Sequence, residues 1–329
     1  MRLFDDPIDS YINEELGLQR VPGLSMALVR QGKILKSGGY GQANLETRTP
    51  ATAETVYQLA SVTKQAVAAS ILLLEQESKL ALDDPLSRHL PKTLPIPPTW
   101  EKITLRHLLT HTSGLVPDEP MDLTRRYTEA DAIAAVKPLP LRFAPGEKWQ
   151  YCNFGFVLLG EVIRRITNQT WDQFLTERFF QPLEMRATRR HTLSELVANR
   201  ADGYALESEK RVNVASWSRD FASGGLLTTV QDLAKWEGML RNGSLLKPET
   251  RARLFEPVML NSGKPHPYGL GWNLAGVAGK RTAEHGGSRP GFATHYWREL
   301  DGDNAVILLA NSGADLGRVA QGIAARATR

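Results

Sequence analysis

Ser61-Val62-Thr63-Lys64 places a hydroxyl and an amine three residues apart at the head of a run that reads as a helix. Residues at that spacing share a helix face, with Cβ atoms about 5–6 Å apart. A serine at a helix N-terminus also has free backbone N–H groups beside it, which suit an oxyanion. A lysine in apolar surroundings loses part of its preference for the charged form and can then help deprotonate a hydroxyl. A Ser-x-x-Lys match is expected about once by chance in a chain of this size. This one opens "ASVTKQAVAASILLLEQESKL", apolar nearly all round for its first four turns. An uncompensated lysine there would cost several kcal/mol.

Two further groups complement that pair. Tyr151-Cys152-Asn153 precedes an apolar helix beginning near Phe154, and in an extended backbone Tyr151 and Asn153 project to one side while Cys152 points away. A phenol can relay protons from a serine, and an amide can hold a substrate carbonyl while orienting a lysine. Tyr11-Ile12-Asn13 fits the same pattern, but Tyr11 lies on the apolar stripe of the first helix and reads as a core residue. The third group, His285-Gly286-Gly287, continues as "SRPGF" ahead of an expected strand. Its glycines allow backbone to approach a ligand, and histidine can donate a hydrogen bond or carry charge near neutral pH. Taken alone, a glycine-rich stretch beside a histidine reads as a turn.

Cys152 is the chain's single cysteine. A thiol nucleophile needs a partnering histidine, and the sequence assigns none, so Cys152 is expected to point into packing. His107 and His111 have the four-residue spacing of a helical zinc pair. No glutamate follows His107 and no third ligand is evident, so no metal is expected. "GGSRPGF" misses Gly-x-Ser-x-Gly at Pro290. "GGYGQAN" lacks the third glycine of a dinucleotide loop and reads as a bend between strand segments.

The elements that must position these groups follow from pattern. Phe4, Ile8, Tyr11, Ile12 and Leu16 form an apolar stripe on a first helix. "LSMALVR" and "ILKSGGYGQANLE" flank "QGK" as a hairpin. After "DDP" at residues 83–85 come helical segments separated by Pro-rich loops: "ITLRHLLTHTSGL", "TEADAIAAVKPLPL", "FGFVLLGEVIRRIT" and "TWDQFLTERFF". "DGYALESEKRVNV" reads as a strand pair, and "TTVQDLAKWEGML" as a helix whose Thr229 and Asp232 are spaced as a capping box. The strands "ATHYWREL" and "AVILLAN" and the helix "LGRVAQGIAARA" close the chain. The expected architecture is α+β: an antiparallel sheet from both ends of the chain, flanked by helices, with an inserted all-helical lobe. The expected division is 1–80 with 185–329 for the sheet domain and 81–184 for the lobe, with a ligand cleft between them.

Composition narrows the function classes. The 329 residues are 42% hydrophobic and 23% charged, with a net charge of +4, an ordinary globular balance. No basic run or basic–aromatic stripe supports a nucleic-acid partner. The longest apolar run, "AVAASILLL", is too short to span a bilayer, and the start lacks a signal-peptide pattern. The expected compartment is therefore the cytoplasm, without a membrane partner.

Together the ordered groups Ser61-x-x-Lys64, Tyr151-x-Asn153 and His285-x-Gly287 resemble the motif triplet of the penicillin-recognising serine hydrolases, most closely the class C β-lactamase and family VIII carboxylesterase branch. The likeness extends through "VPGLSMALVRQGKIL", "ITLRHLLTHTSGL", "FAPGEKWQYCNFGFVLLGEVI", "SGGLLTTVQDLAKW" and "YGLGW", about residues 5 to 327. It implies a β-lactamase/transpeptidase-like fold and acyl transfer through an ester on Ser61, without a cofactor or metal. Lys64 and Tyr151 would be the coupled proton-transfer pair, with the base left open between them. Asn153 would bind Lys64 and the acyl side of the substrate. Ser288 N–H would join Ser61 N–H as the oxyanion hole, and His285 with Gly286 and Gly287 would line the opposite wall. Class C β-lactamases usually carry lysine where this chain has His285, which favours a carboxylesterase on small acyl esters. A β-lactamase or D-amino-acid peptidase is the alternative, and a slowly deacylating sensor a further one. Arg289 could supply a positive charge for a substrate carboxylate or simply be solvated. The expected partner is a small ester, amide or β-lactam, and the oligomeric state is left open between monomer and weak dimer.

Overall fold

Helix α1 (Pro7–Gln19) starts where its sequence provides a cap: the Asp6 carboxylate accepts from Ile8 N–H at 2.8 Å, and Pro7 occupies the first helical position. The computed structural model describes residues 6–90, 96–117, 127–214, 221–277 and 279–327. Ile8 and Ile12 are buried as the stripe requires, with Tyr11 and Leu16 partly buried against them; Phe4 lies outside the described residues. The third buried position of α1 is Glu15, whose charge is paired with Arg318 of the last helix.

Strand β1 (Gly23–Arg30) turns into β2 (Lys33–Asn44) through Gln31 and Gly32, both at positive φ (53° and 76°), the two-residue turn that matches strand twist. "GGYG" is not a bend but continuous β2. Gly39 and Gly41 are needed there because a Cβ on either would lie 2.1 Å from a backbone oxygen, of Ala51 and Pro22 respectively. A two-residue strand β3 (Thr49–Pro50) ends this edge. Toward the C-terminus follow β4 (Asn273–Val277), β5 (Lys280–Arg289), β6 (Phe292–Glu299) and β7 (Asn304–Ala310). The sheet order is β4-β5-β6-β7-β1-β2-β3, antiparallel throughout, with the strands nearest the two termini paired at its centre.

Period-two alternation separates the two faces. Leu24, Met26 and Leu28 of β1 and Val306, Leu308 and Ala310 of β7 face α1 and the last helix, α5 (Leu316–Ala327). Ala27, Val29, Ala305, Ile307 and Leu309 belong to a larger core that runs without a break into the helical region. Helix α2 (Thr63–Gln76) lies in that core, every side chain from Thr63 to Leu74 buried. Against it packs α3 (Asn153–Thr167). Helix α4 (Val230–Asn242) covers the same sheet face.

Two local expectations are corrected. Thr229 accepts from Asp232 N–H at 3.1 Å, but the Asp232 carboxylate does not return the bond to close a capping box. It accepts instead from the backbone N–H groups of Ala187 and Thr188, both at 2.9 Å, so a tertiary demand takes the group that local spacing assigned to the helix end. In "ITLRHLLTHTSGL" the helix covers only Leu105–Leu109; His111 takes φ 60° and turns the chain inward.

Candidate active site

The chain enters α2 through a single 3₁₀ turn, Ala60–Val62, with Ala60 at φ 52°. A non-glycine residue in that region stores of order 1–3 kcal/mol and persists only where its surroundings enforce it. Here they do. Leu59 N–H donates to Leu226 O at 2.8 Å, and Leu59 O accepts from Thr294 Oγ1 of β6 at 2.9 Å. Gly287 on β5 closes the third side: a Cβ there would stand 2.2 Å from Thr294 Oγ1 and 2.7 Å from Leu59 O. The glycine of the third motif is thus required by the approach of β5 to the residues before Ser61.

Lys64 is fully buried, and its three N–H donors find three acceptors. Nζ lies 3.2 Å from Ser61 Oγ, 2.7 Å from Asn153 Oδ1 and 2.6 Å from Ser223 O. It also stands over the rings of Tyr151 and Phe156, at 4.9 and 5.4 Å from their centroids. A buried ammonium is tolerable only with such compensation. The first two motifs therefore converge on one amine. Ser61 Oγ and Lys64 Nζ are thus within hydrogen-bond reach, an arrangement in which an amine can assist a hydroxyl as nucleophile. A second Ser-x-x-Lys match, Ser244 to Lys247, lies at the opening of the short helix Pro248–Ala252, and Lys247 is exposed.

Cys152 is buried and donates its thiol to Val116 O at 3.1 Å, on the core side of the chain. Replacing it by alanine removes no group from the Lys64 cluster. Cys152→Ala is expected to keep activity within about threefold, and alkylating reagents to inactivate the wild type slowly, because thiol attack needs an accessible thiolate. Prompt inactivation that tracks Cys152 alkylation would contradict this.

His285-Gly286-Gly287 is not a turn. It is the interior of β5, registered against Thr294, His295 and Tyr296 of β6, and the turn comes later at Pro290-Gly291. Gly286 and Ser288 are exposed, while His285 is buried with its ring 6.1 Å from that of Tyr151. Both ring nitrogens are engaged by the protein: Nε2 with Tyr268 Oη at 3.2 Å and Nδ1 with Gly286 O at 2.6 Å. Burial, and then the charge of Lys64, push the His285 pKa down from 6.5 to about 3. The ring is therefore neutral in ordinary buffers and carries no charge for a substrate carboxylate. Arg289 donates to Gly224 O at 2.9 Å, beside the Ala60 backbone.

The depressed pKa has a consequence for stability. Below about pH 6.5 the unfolded chain takes up a proton at His285 that the folded chain refuses. This histidine's contribution is present above that pH and lost as pH falls from 6.5 toward 3. In urea unfolding at pH 7.5 and pH 5, His285→Gln is expected to lose less stability between the two pH values than wild type. Equal losses would contradict a buried neutral His285.

Three contributors to this region are absent from the sequence-based assignment. Ser223 supplies only a carbonyl, which no motif marks. His111 has the spacing of a metal pair with His107, yet the two part company: His107 Nδ1 accepts from Thr104 N–H to cap its own helix, while His111 enters the core against Tyr151. Tyr268 belongs to "YGLGW", which carried a resemblance but no role.

The antiparallel sheet, the buried helix behind it and the helices packed on that helix make a fold of the β-lactamase/transpeptidase type. A sequence model of the beta-lactamase family matches residues 8–328, and the chain belongs to that family. The protein flp of Staphylococcus aureus is 27% identical over 318 residues, covering 94% of this chain and 63% of that protein. Thus the chain spans less than two thirds of that relative's length. The octameric penicillin-binding protein homologue from Pyrococcus abyssi superposes with a TM-score of 0.83 at 26% identity, covering 97% of this chain and 76% of the other. The D-amino acid amidase from Ochrobactrum anthropi, in complex with D-phenylalanine, shares the fold with a TM-score of 0.80 at 24% identity over 97% and 95% of the two chains. No helix among the described residues is long and apolar enough to cross a membrane.

Proposed function

We propose that the chain is a carboxylesterase-type hydrolase that transfers small acyl groups through an ester on Ser61. The observation that carries this reading is the Lys64 amine, buried and bonded at once to Ser61 Oγ, Asn153 Oδ1 and Ser223 O. Ser61 Oγ attacks the ester carbonyl in the form of the site in which the Lys64–Tyr151 pair has given up one of its two protons, and the serine proton passes to that vacated position. That pair returns the proton to the departing alkoxide, and water then cleaves the acyl-enzyme by the reverse transfers. Asn153 orients Lys64 and meets the acyl side of the substrate. The N–H groups of Ser61 and Ser288 receive the oxyanion, with Gly286 and Gly287 giving the carbonyl access. The neutral, internally bonded His285 supports esters over substrates that need a cation at the third motif.

Arg289 favours a second reading, hydrolysis of amides or β-lactams that carry a carboxylate, because its guanidinium lies beside Gly224 and the Ala60 backbone. Parallel assays on p-nitrophenyl butyrate, nitrocefin and D-phenylalanine p-nitroanilide separate the two. The ester is expected to give the highest kcat/KM. Fast nitrocefin turnover with an untouched ester would overturn the first reading in favour of the second.

A further inference from the structure

Two backbone groups of fixed polarity lie at the ends of a buried chain of side chains. At one end, Cys152 N–H donates to His111 Nδ1 at 3.1 Å. An N–H can only donate, so Nδ1 is unprotonated and the neutral ring carries its proton on Nε2. That Nε2 lies 3.0 Å from Tyr268 Oη, which accepts from it and directs its own proton to His285 Nε2 at 3.2 Å. At the other end, His285 Nδ1 meets Gly286 O at 2.6 Å, and a carbonyl can only accept. Both ends therefore dictate the same direction for every bond between them.

We propose that His111 and Tyr268 are positioning residues for acyl transfer: with His285 they form a one-way strut of neutral hydrogen bonds that ties the backbone of Cys152 to that of Gly286. It thereby sets the spacing between Tyr151-Cys152-Asn153 at the head of α3 and Gly286-Gly287-Ser288 on β5. This rests on the serine-ester reading above and adds to it how the two walls of the site are held in register. None of the three side chains need touch substrate.

Other features of the molecule converge on the strut. His111 lays its ring against Tyr151, with centroids 4.3 Å apart, and against Phe156 at 5.4 Å, the ring that also lies under Lys64. It adopts φ 60°, a conformation that non-glycine residues hold only where the surroundings insist. His111, Tyr268 and His285 are all nearly or fully buried, so a half-satisfied version of this network would be costly. The groups facing His285 are Lys64 from α2, Tyr151 and Tyr268 from the loops, and His295, itself bonded to Glu284, from β6. A proton added to His285 Nε2 would confront Tyr268 Oη with two donors and leave its own hydrogen without an acceptor. Geometry and the charge of Lys64 thus resist the same protonation. Burial, Lys64 and His285 likewise hold the His111 pKa well below its usual value.

Nitrogen-15 spectra of the imidazoles in the full chain test the strut without reference to turnover. The expected result is two neutral rings of opposite tautomer, His111 protonated on Nε2 and His285 on Nδ1, neither titrating between pH 5 and 8. Matching tautomers, or a His285 that titrates in that range, would overturn the proposal even if Ser61 proves catalytic. Conversely, opposite tautomers in a protein without esterase activity would uphold the strut and sink the ester reading alone. Tyr268→Phe removes the central hydroxyl. It is expected to mix the His285 tautomers and to lower kcat on p-nitrophenyl butyrate about ten- to a hundredfold with much less change in KM. A Tyr268→Phe protein with wild-type tautomers and wild-type kcat would overturn the positioning role. Should that variant fail to fold, the wild-type spectra decide.

Discussion

Ser61→Ala is expected to lower kcat/KM on p-nitrophenyl butyrate by about 10⁴-fold or more while leaving the fold intact. The size follows from what is removed: without Oγ no acyl-enzyme forms, and the surviving donors only assist attack by water. The fold is spared because Ser61 is partly exposed and sits in a turn held by other groups, Leu226 O and Thr294 Oγ1 on Leu59 and the β5 backbone at Gly287. Steady-state kinetics with a thermal melt as control read both effects. Full hydrolysis by the alanine variant would remove the mechanism altogether.

Lys64→Met carries the second large effect, a loss of about 10²–10⁴-fold in kcat, the range for a group that moves protons in the transition state. Methionine keeps a straight stem beneath the Tyr151 and Phe156 rings, so packing survives while the amine is lost. Asn153 Oδ1 and Ser223 O lose a donor, but a buried charge goes with it. Leaving those buried acceptors unpaired costs about 1–3 kcal/mol, offset by the desolvation of the charge that is removed, and sites arranged for chemistry are rarely arranged for stability. The melting temperature is therefore expected to change by only a few degrees. Unchanged kcat would show that Lys64 is a structural cation. A collapse of the fold would show that the three-way contact supports folding before function.

Much of this site was legible from the chain because its key pairs are local. Ser61 and Lys64 share a helix face by spacing alone, and Tyr151 and Asn153 share a side by alternation. The third motif was legible in type but not in conformation. Two adjacent glycines signal a turn locally, whereas here Gly287 lets one strand close on Leu59, a neighbour more than 200 positions away in sequence. His111 and Tyr268 were invisible as a pair, since only the tertiary fold brings residues 111, 268 and 285 into line. The carbonyl of Ser223 carries no sequence signal, because every residue has one. In the fold the same division holds: the hairpin turn at Gln31-Gly32 was local and legible, while Glu15 in an apolar stripe makes sense only beside Arg318.

The central claim is that Ser61 becomes covalently acylated. Treatment with an alkyl fluorophosphonate, in which the nucleophile displaces fluoride to leave a stable phosphonyl ester, followed by intact-mass measurement and peptide mapping, reads this most directly. The predicted result is one phosphonyl group per chain, on the peptide that holds Ser61, appearing in step with the loss of ester hydrolysis and absent from Ser61→Ala. Loss of activity with the group on another residue, or full hydrolysis by a chain quantitatively modified at Ser61, would contradict it.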